Sequence, residues 1–373
     1  MPPTADTTAP EREADVLRRG LDLLRDRLPP NWEIAIEEET RAPRGPRADA
    51  IASLRGPDGT SVALVIEAKR VLEARDAGWV RDQLDRVIEA MRAEQSADLA
   101  AELVPMVVAR YLAPRTRERL SEFGVSYADA TGNLEVAIEK PALFVRDVGA
   151  NRDPWRGPGR PRGSFRGPVP ARVVRALVDF ASPMTVRELT DRAGTSTGAT
   201  YRMVELLERE AYIERKPRGP ITRVDWRRML ERWSEDYGFA TSNPTGSFLE
   251  PRGLPELLER LRAESDLRYA LTGSAAAGYF ARYAPARLAM LYVNDLDQAA
   301  DALDLRQVES GSNVLLAAPV DDFVYERASE RDGLQVAAPS QVAVDLLTSP
   351  GRGPSEAVAL LDWMQGNEGA WRG

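Results

Sequence analysis

Asp49 and, eighteen residues later, the triplet Glu67-Ala68-Lys69 are the residues of this chain best suited by type and spacing to do chemistry. Two carboxylates and an ammonium brought together can hold a hard divalent cation beside a phosphate, because such cations take oxygen ligands. Glu67 and Lys69 end an apolar run, Ser61-Val62-Ala63-Leu64-Val65-Ile66, that reads as a buried strand. Side chains alternate across a strand, so Glu67 and Lys69 share one face and Ala68 points to the other. Asp49 opens an earlier run, Ala50-Ile51-Ala52-Ser53-Leu54, and Gly56-Pro57-Asp58-Gly59 turns the chain back antiparallel. The three side chains are thus expected at one sheet end; the purely structural alternative is an ion pair closing a strand. Of the 50 basic residues only Lys69, Lys140 and Lys216 are lysines, a bias that reflects base composition. Lysine nevertheless stands where metal-dependent phosphodiester cleavage calls for a compact ammonium instead of a planar fork.

Composition narrows the chemistry further. The length, 373 residues, predicts two or three domains, and apolar and charged shares of 43 % and 29 % are those of a soluble globular protein. There is no cysteine and no histidine, which excludes disulfides, thiolate or imidazole zinc sites, cysteine nucleophiles and a histidine base. Catalysis is left to carboxylates, Lys, Tyr, Ser/Thr or an oxygen-ligated Mg²⁺ or Mn²⁺. No apolar stretch approaches the roughly 20 residues of a membrane span, and the acidic, proline-rich start is unlike a signal peptide, so a cytoplasmic protein with no membrane partner is expected. A net charge of −8 argues against indiscriminate coating of nucleic acid and leaves room for a local basic surface.

The first segment, 1–148, reads as helix, three strands, helix, strand and further α/β elements. Val16, Leu17, Leu21, Leu24 and Leu28 fall at helical spacing, and a later helix buries Val80, Leu84, Val87 and Met91 with Gln83 on its inner side. Gly124–Asn133 is rich in turn residues, and Asp129 and Asn133 read as turn caps. This αβββαβ order, with Asp49 on the second strand and Glu67-x-Lys69 on the third, resembles the PD-(D/E)xK nuclease superfamily. The resemblance implies a restriction-endonuclease-like domain in which Asp49 and Glu67 ligate Mg²⁺ (or Mn²⁺) together with the Ala68 carbonyl. It also implies that Lys69 orients the attacking water or stabilises the transition state, and that Gln83 is a polar assistant. Ala48 stands where the superfamily pattern has proline.

Residues 149–169 read as a basic Pro/Gly/Arg linker. Its Gly159-Arg160-Pro161-Arg162-Gly163 is similar to the core of minor-groove AT-hooks, which makes Arg160 and Arg162 DNA-binding candidates beside the plainer reading of a solvated tether. Residues 170–235 read as three helices and a hairpin. The third helix, entered through Gly194-Thr195-Ser196, is expected to project Thr197, Thr200, Tyr201 and Arg202, and Arg215, Lys216, Arg218 and Arg223 fall on the hairpin. The layout resembles a winged helix-turn-helix, which implies a helix in the major groove and a wing on phosphate of double-stranded DNA; a trihelical module that touches no DNA is the alternative.

Residues 236–373 read as α/β again. A strand, Thr272-Gly273-Ser274, helix, strand order resembles a nucleotidyltransferase fold, but the following strand is wholly apolar, and Asp295 and Asp297 come only after it. The third segment is therefore expected to be non-catalytic. Its combination with a winged helix, and the run Ala338-Pro339-Ser340 to Asp345-Leu346-Leu347, is similar to AbiEi-type antitoxin regulators. The whole is expected to be an α/β multidomain, DNA-binding protein: a Mg²⁺-dependent endonuclease targeted by its winged helix, or a regulator or antitoxin without turnover. The C-terminal segment is expected to serve a homodimer or a protein partner.

Overall fold

The apolar run ending in Glu67 and Lys69 becomes an inner strand, covered on both sides. The computed structural model of the chain describes residues 9, 10, 12–38, 47–94, 102–155, 164–264 and 266–373. It is an α/β fold in two compact units, Met1–Arg160 with Arg209–Ala211, and Pro161–Glu208 with Tyr212–Gly373. In the first unit the elements are α1 (Glu13–Arg27), β1 (Glu33–Glu38), β2 (Ala50–Arg55), β3 (Ser61–Lys69), α2 (Ala77–Glu94), β4 (Glu102–Ala109), α3 (Pro114–Glu122), β5 (Ser126–Asp129), β6 (Leu134–Ile138) and β7 (Leu143–Asp147). The seven strands lie side by side in chain order. β1, β2 and β3 are antiparallel, β3, β4 and β5 parallel, and β6 and β7 return antiparallel.

Val16, Leu21 and Leu24 of α1 cluster with Leu64, Ile66 and Met106 on one face. Val80, Leu84 and Val87 of α2 cluster with Val65 and Val107 on the other. Two covered faces explain why β3 and β4 read as continuous apolar runs instead of alternating ones. Gly20 lets α1 approach the sheet closely, since a Cβ there would collide with Val108.

The segment 149–169, expected as an open tether, is held down at both of its described ends. Arg110 Nη2 bonds Asp153 at 2.7 Å and Asn133 Nδ2 donates to the Ala150 carbonyl at 3.1 Å. Phe165 packs edge-on against Tyr212, ring centroids 6.0 Å apart. Arg160 and Arg162 lie outside the described residues.

The second unit begins with α4 (Pro168–Asp179), α5 (Val186–Ala193), α6 (Thr197–Arg209), the hairpin β8 (Ile213–Arg215) and β9 (Ile221–Val224), and α7 (Trp226–Ser234). Thr185 and Glu188 cap the start of α5 reciprocally, and Gly194 ends it in the left-handed conformation, φ 57°. There follow β10 (Thr245–Leu249), α8 (Leu254–Ala263), β11 (Tyr269–Thr272), α9 (Gly273–Ala277), β12 (Ala289–Val293), α10 (Leu296–Ala302), β13 (Arg306–Gln307), β14 (Val314–Ala317), β15 (Ser329–Arg331), β16 (Leu334–Val336), α11 (Pro339–Leu347) and α12 (Gly353–Gly366). Their sheet has the order β13-β10-β14-β12-β11-β16-β15.

Residues 170–235 and 236–373 share one core within this unit, with Val174 and Leu177 in the same cluster as Phe323 and Val342. Arg175, fully buried on α4, ties the two segments together. It bonds Asp179, Gln341 and the carbonyls of Phe323 and Glu326 at 2.8–3.0 Å. No described helix is long and apolar enough to cross a membrane.

Candidate functional site

The acid–lysine cluster is built where β2 starts and β3 ends. The Asp49 N–H donates to the Ile66 carbonyl at 2.9 Å, and Asp49 Oδ2 accepts the Ala68 N–H at 2.7 Å. Glu67 and Lys69 point to the α2 face, the side of Val65, while Ala68 packs with Ile66 on the other. Glu67 is only 5 % exposed, and its Oε1 accepts both Lys69 Nζ and, at 2.8 Å, Gln83 Nε2. A buried carboxylate is tolerated because an ammonium and an amide satisfy it. Gln83 Oε1 is itself buried with no hydrogen-bond partner. Glu67, Lys69 and Gln83 are therefore bonded together, and Asp49 joins them through the Ala68 peptide.

α2 contributes a second side chain. Lys69 Nζ lies over the Trp79 indole, 5.8 Å from its centroid. Trp79 precedes Gln83 by one helical turn, so both reach toward the end of β3. Sequence reasoning missed this residue; the available signal was an aromatic off the Val80, Leu84, Val87 stripe at the i−4 position from Gln83. Among the described residues no three Asp, Glu, His or Cys side chains converge as a metal cage. Asp49, Glu67 and the unpartnered Gln83 oxygen are oxygen donors, the type that hard cations take.

Within residues 170–235, α6 divides by its period. Ala199, Met203, Val204 and Leu207 face inward, and Thr197, Tyr201 and Arg202 are exposed. Thr200, expected to project outward, is fully buried. Its hydroxyl pairs with Thr195 Oγ1 at 2.8 Å and donates to the Ser196 carbonyl at 3.2 Å. It sits three and four residues before Met203 and Val204, on their face, and the two bonds make its polarity tolerable there.

The hairpin also departs from a uniformly basic tip. Arg215 folds back onto Glu208 of α6 at 2.9 Å, and Arg223 pairs across the hairpin with Glu214 at 2.6 Å. Lys216 and Arg218 are exposed on the turn, which the Gly219 N–H closes onto the Lys216 carbonyl at 2.8 Å. Arg218 has φ 55°, the left-handed region that glycine adopts with least strain.

In the C-terminal sheet, Gly273 (φ 65°) makes the turn after β11 so close to β12 that a Cβ would stand 2.6 Å from Met290 Sδ. Asp295 caps α10 through the Gln298 N–H, and Asp321 caps a short 3₁₀ turn and pairs with Arg172. Asp345, fully buried on α11, accepts from Thr272 Oγ1 at 2.6 Å, Tyr292 Oη at 2.7 Å and Gln341 Nε2 at 3.0 Å. Burial lifts its carboxyl to about 7 and drives the Tyr237 and Tyr292 hydroxyls well above their ordinary range. No family model, no curated protein and no solved structure matches this chain.

Proposed function

We propose that this chain is a DNA-binding protein whose first unit is a Mg²⁺- or Mn²⁺-dependent DNA endonuclease of PD-(D/E)xK type, targeted by a winged helix-turn-helix. The observation that carries the reading is the convergence of Lys69 and Gln83 on Glu67, with Asp49 held on the adjacent peptide. One helix, three antiparallel strands, a second helix and a parallel fourth strand, in that order, support the fold assignment. Asp49, Glu67 and the Ala68 carbonyl would hold the cation, with the Gln83 oxygen nearby. When bound, the cation neutralises charge on the scissile phosphate and lowers the pKa of a bound water. Lys69, its side chain a quarter exposed, is available to orient that water or to stabilise the charged phosphorane. Gln83 holds Glu67 in place.

Thr197, Tyr201 and Arg202 would enter the major groove of duplex DNA, with Lys216 and Arg218 on phosphate. An arginine kept in a conformation that suits glycine supports a role for its charge, because the surrounding structure maintains the strain. The test is incubation of plasmid DNA with purified protein and Mg²⁺ or Mn²⁺. Wild type should nick or linearise it, and Lys69→Ala should not, with circular dichroism confirming that the variant is folded at the assay temperature. Equal inertness of both over a panel of DNAs and metals rejects the nuclease.

One observation favours a second reading, a DNA-binding regulator or AbiEi-like antitoxin without turnover. Arg175 locks α4 of the winged segment to α11 and the loop at Phe323. A protein partner or a second copy bound to that sheet would then bear on the DNA-reading helices. A homodimer would read half-sites about one helical turn apart. Footprints on a two-fold symmetric site, without cleavage, would select this reading.

A further inference from the structure

Trp79 has no part in the cleavage chemistry just described, yet it stands at its edge. Its indole is 57 % exposed, and Val71, just beyond the end of β3, is 63 % exposed. Val80, Leu84 and Val87 pack α2 onto the sheet without it. Trp79 and Gln83 rise from the same side of α2, one turn apart, and Gln83 reaches Glu67 while the indole reaches Lys69. A large aromatic left open beside an ammonium that is bonded to a buried carboxylate is an unusual use of a side chain that normally buries its ring.

We propose that Trp79 is a stacking platform for an unpaired nucleobase next to the scissile phosphate. The preferred DNA of this site is then a strand with a base already out of the stack (an overhang, a gap or a flap) in place of intact duplex. The proposal rests on the nuclease reading and names its substrate class. In intact duplex both faces of every internal base are covered by neighbours, so an exposed indole finds a free face only where pairing is interrupted. Stacking on tryptophan tolerates any base, since every base has a π-face. Lys69 occupies one side of the indole and directs its charge toward the Glu67 end. A base on the other side would carry its own phosphate toward Lys69 and Asp49.

The test uses full-length protein and two oligonucleotides of identical sequence, one blunt duplex and one with a short internal gap whose unpaired base is 2-aminopurine. Cleavage is followed with Mn²⁺, and 2-aminopurine quenching is followed separately in chelator, where no turnover occurs. Wild type should cut the gapped strand faster than the blunt duplex and quench the probe. Trp79→Leu should lose about 5- to 150-fold on the gapped strand, the fold-change equivalent to a base–aromatic stack of about 1–3 kcal/mol, with a much smaller loss on the blunt duplex and no quenching. Trp79→Phe should keep most of both signals, and thermal melts check that the variants fold. Equal losses on both substrates, or quenching that persists in Trp79→Leu, overturns the platform and leaves the nuclease standing. Quenching that depends on Trp79 in a protein that cuts nothing removes the nuclease and leaves the platform; neither signal in wild type rejects both.

Discussion

Each unit of this protein sets a glutamine against an acid beside an inner strand, and the two clusters turn out very differently. In the first, Gln83 and Lys69 share one oxygen of Glu67, the Gln83 carbonyl oxygen is left without a partner, and a quarter of the lysine side chain meets solvent. In the second, Asp345 receives Thr272, Tyr292 and Gln341, the two tyrosines bond each other at 2.8 Å, and Gln341 passes on to Arg175. The second holds a carboxyl raised far above its ordinary value, and perturbation by itself often marks a functional group. Its geometry argues otherwise, because a saturated network sealed from solvent has nothing left to offer a ligand. On the proposed reading, what sets the first cluster apart is an acceptor left without a partner beside a lysine partly open to solvent.

The largest effect expected from this contrast is on turnover. Asp49→Asn or Lys69→Ala should each reduce metal-dependent DNA cleavage by about 10²- to 10³-fold, the loss typical of removing one charge-stabilising group. Asp49→Asn should barely move stability, because Asp49 is exposed just before β2, whereas Lys69→Ala leaves the buried Glu67 carboxylate to the Gln83 amide alone and should lower it. Asp345→Ala should act on stability alone. Leaving Thr272 and Tyr292 unpaired in the interior should cost about 3 kcal/mol in urea unfolding and leave cleavage per folded molecule intact. A Lys69→Ala protein that still cuts at the wild-type rate would erase the distinction between the clusters.

The next effect is a pH dependence arising in the closed cluster. Burial raises the folded Asp345 carboxyl to about 7, against about 4 in the unfolded chain. Thr272, Tyr292, Gln341 and Arg175 around it pull the other way and do not cancel the burial. Between those two pH values the folded state keeps a proton that the unfolded state has released, so folding takes one up. Its contribution is complete below about pH 4, falls as pH rises, and is lost above about pH 7, on the order of 4 kcal/mol in all. Asp345→Asn should flatten that slope relative to wild type when unfolding is compared at pH 5 and pH 8. Parallel slopes would show that the carboxyl is ionised in the fold.

The two clusters also differ in how legible they were in the sequence. Glu67 and Lys69 sit on a run apolar at every position, and Gln83 on a clean helical stripe, so local periodicity placed all three. Asp49 followed from one turn. Arg175 and Gln341, which bonds on to Asp345, are joined across 166 residues, and no local pattern announces such a pairing. The short strands β7, β13, β15 and β16 escaped notice for a related reason, being defined by their neighbours more than by their own few residues. Thr200 was misread because its polarity outweighed its spacing. Counting from Met203 and Val204 would have turned it inward.

Two smaller predictions separate reading from support within the winged segment. Thr200→Val should cost about 1 kcal/mol of stability through its lost hydroxyl bonds and leave DNA sequence preference unchanged, whereas Arg202→Ala should relax preference with little change in stability. A shift in the preferred site caused by Thr200→Val would mean that α6 meets DNA on its buried face, contrary to the packing.

Arg218→Gly has the smallest expected effect and two opposing parts. Glycine relieves the left-handed strain at φ 55° but adds freedom to the unfolded chain, so the net gain in stability is at most about 1 kcal/mol. The same change removes one exposed cation from the hairpin turn, so duplex affinity should fall uniformly across sequences. The slope of log affinity against log salt should also flatten by about 0.9, one phosphate contact. Stabilisation without weakened binding would identify Arg218 as an ordinary turn residue. The wing would then rest on Lys216, since Arg215 and Arg223 are already committed to Glu208 and Glu214.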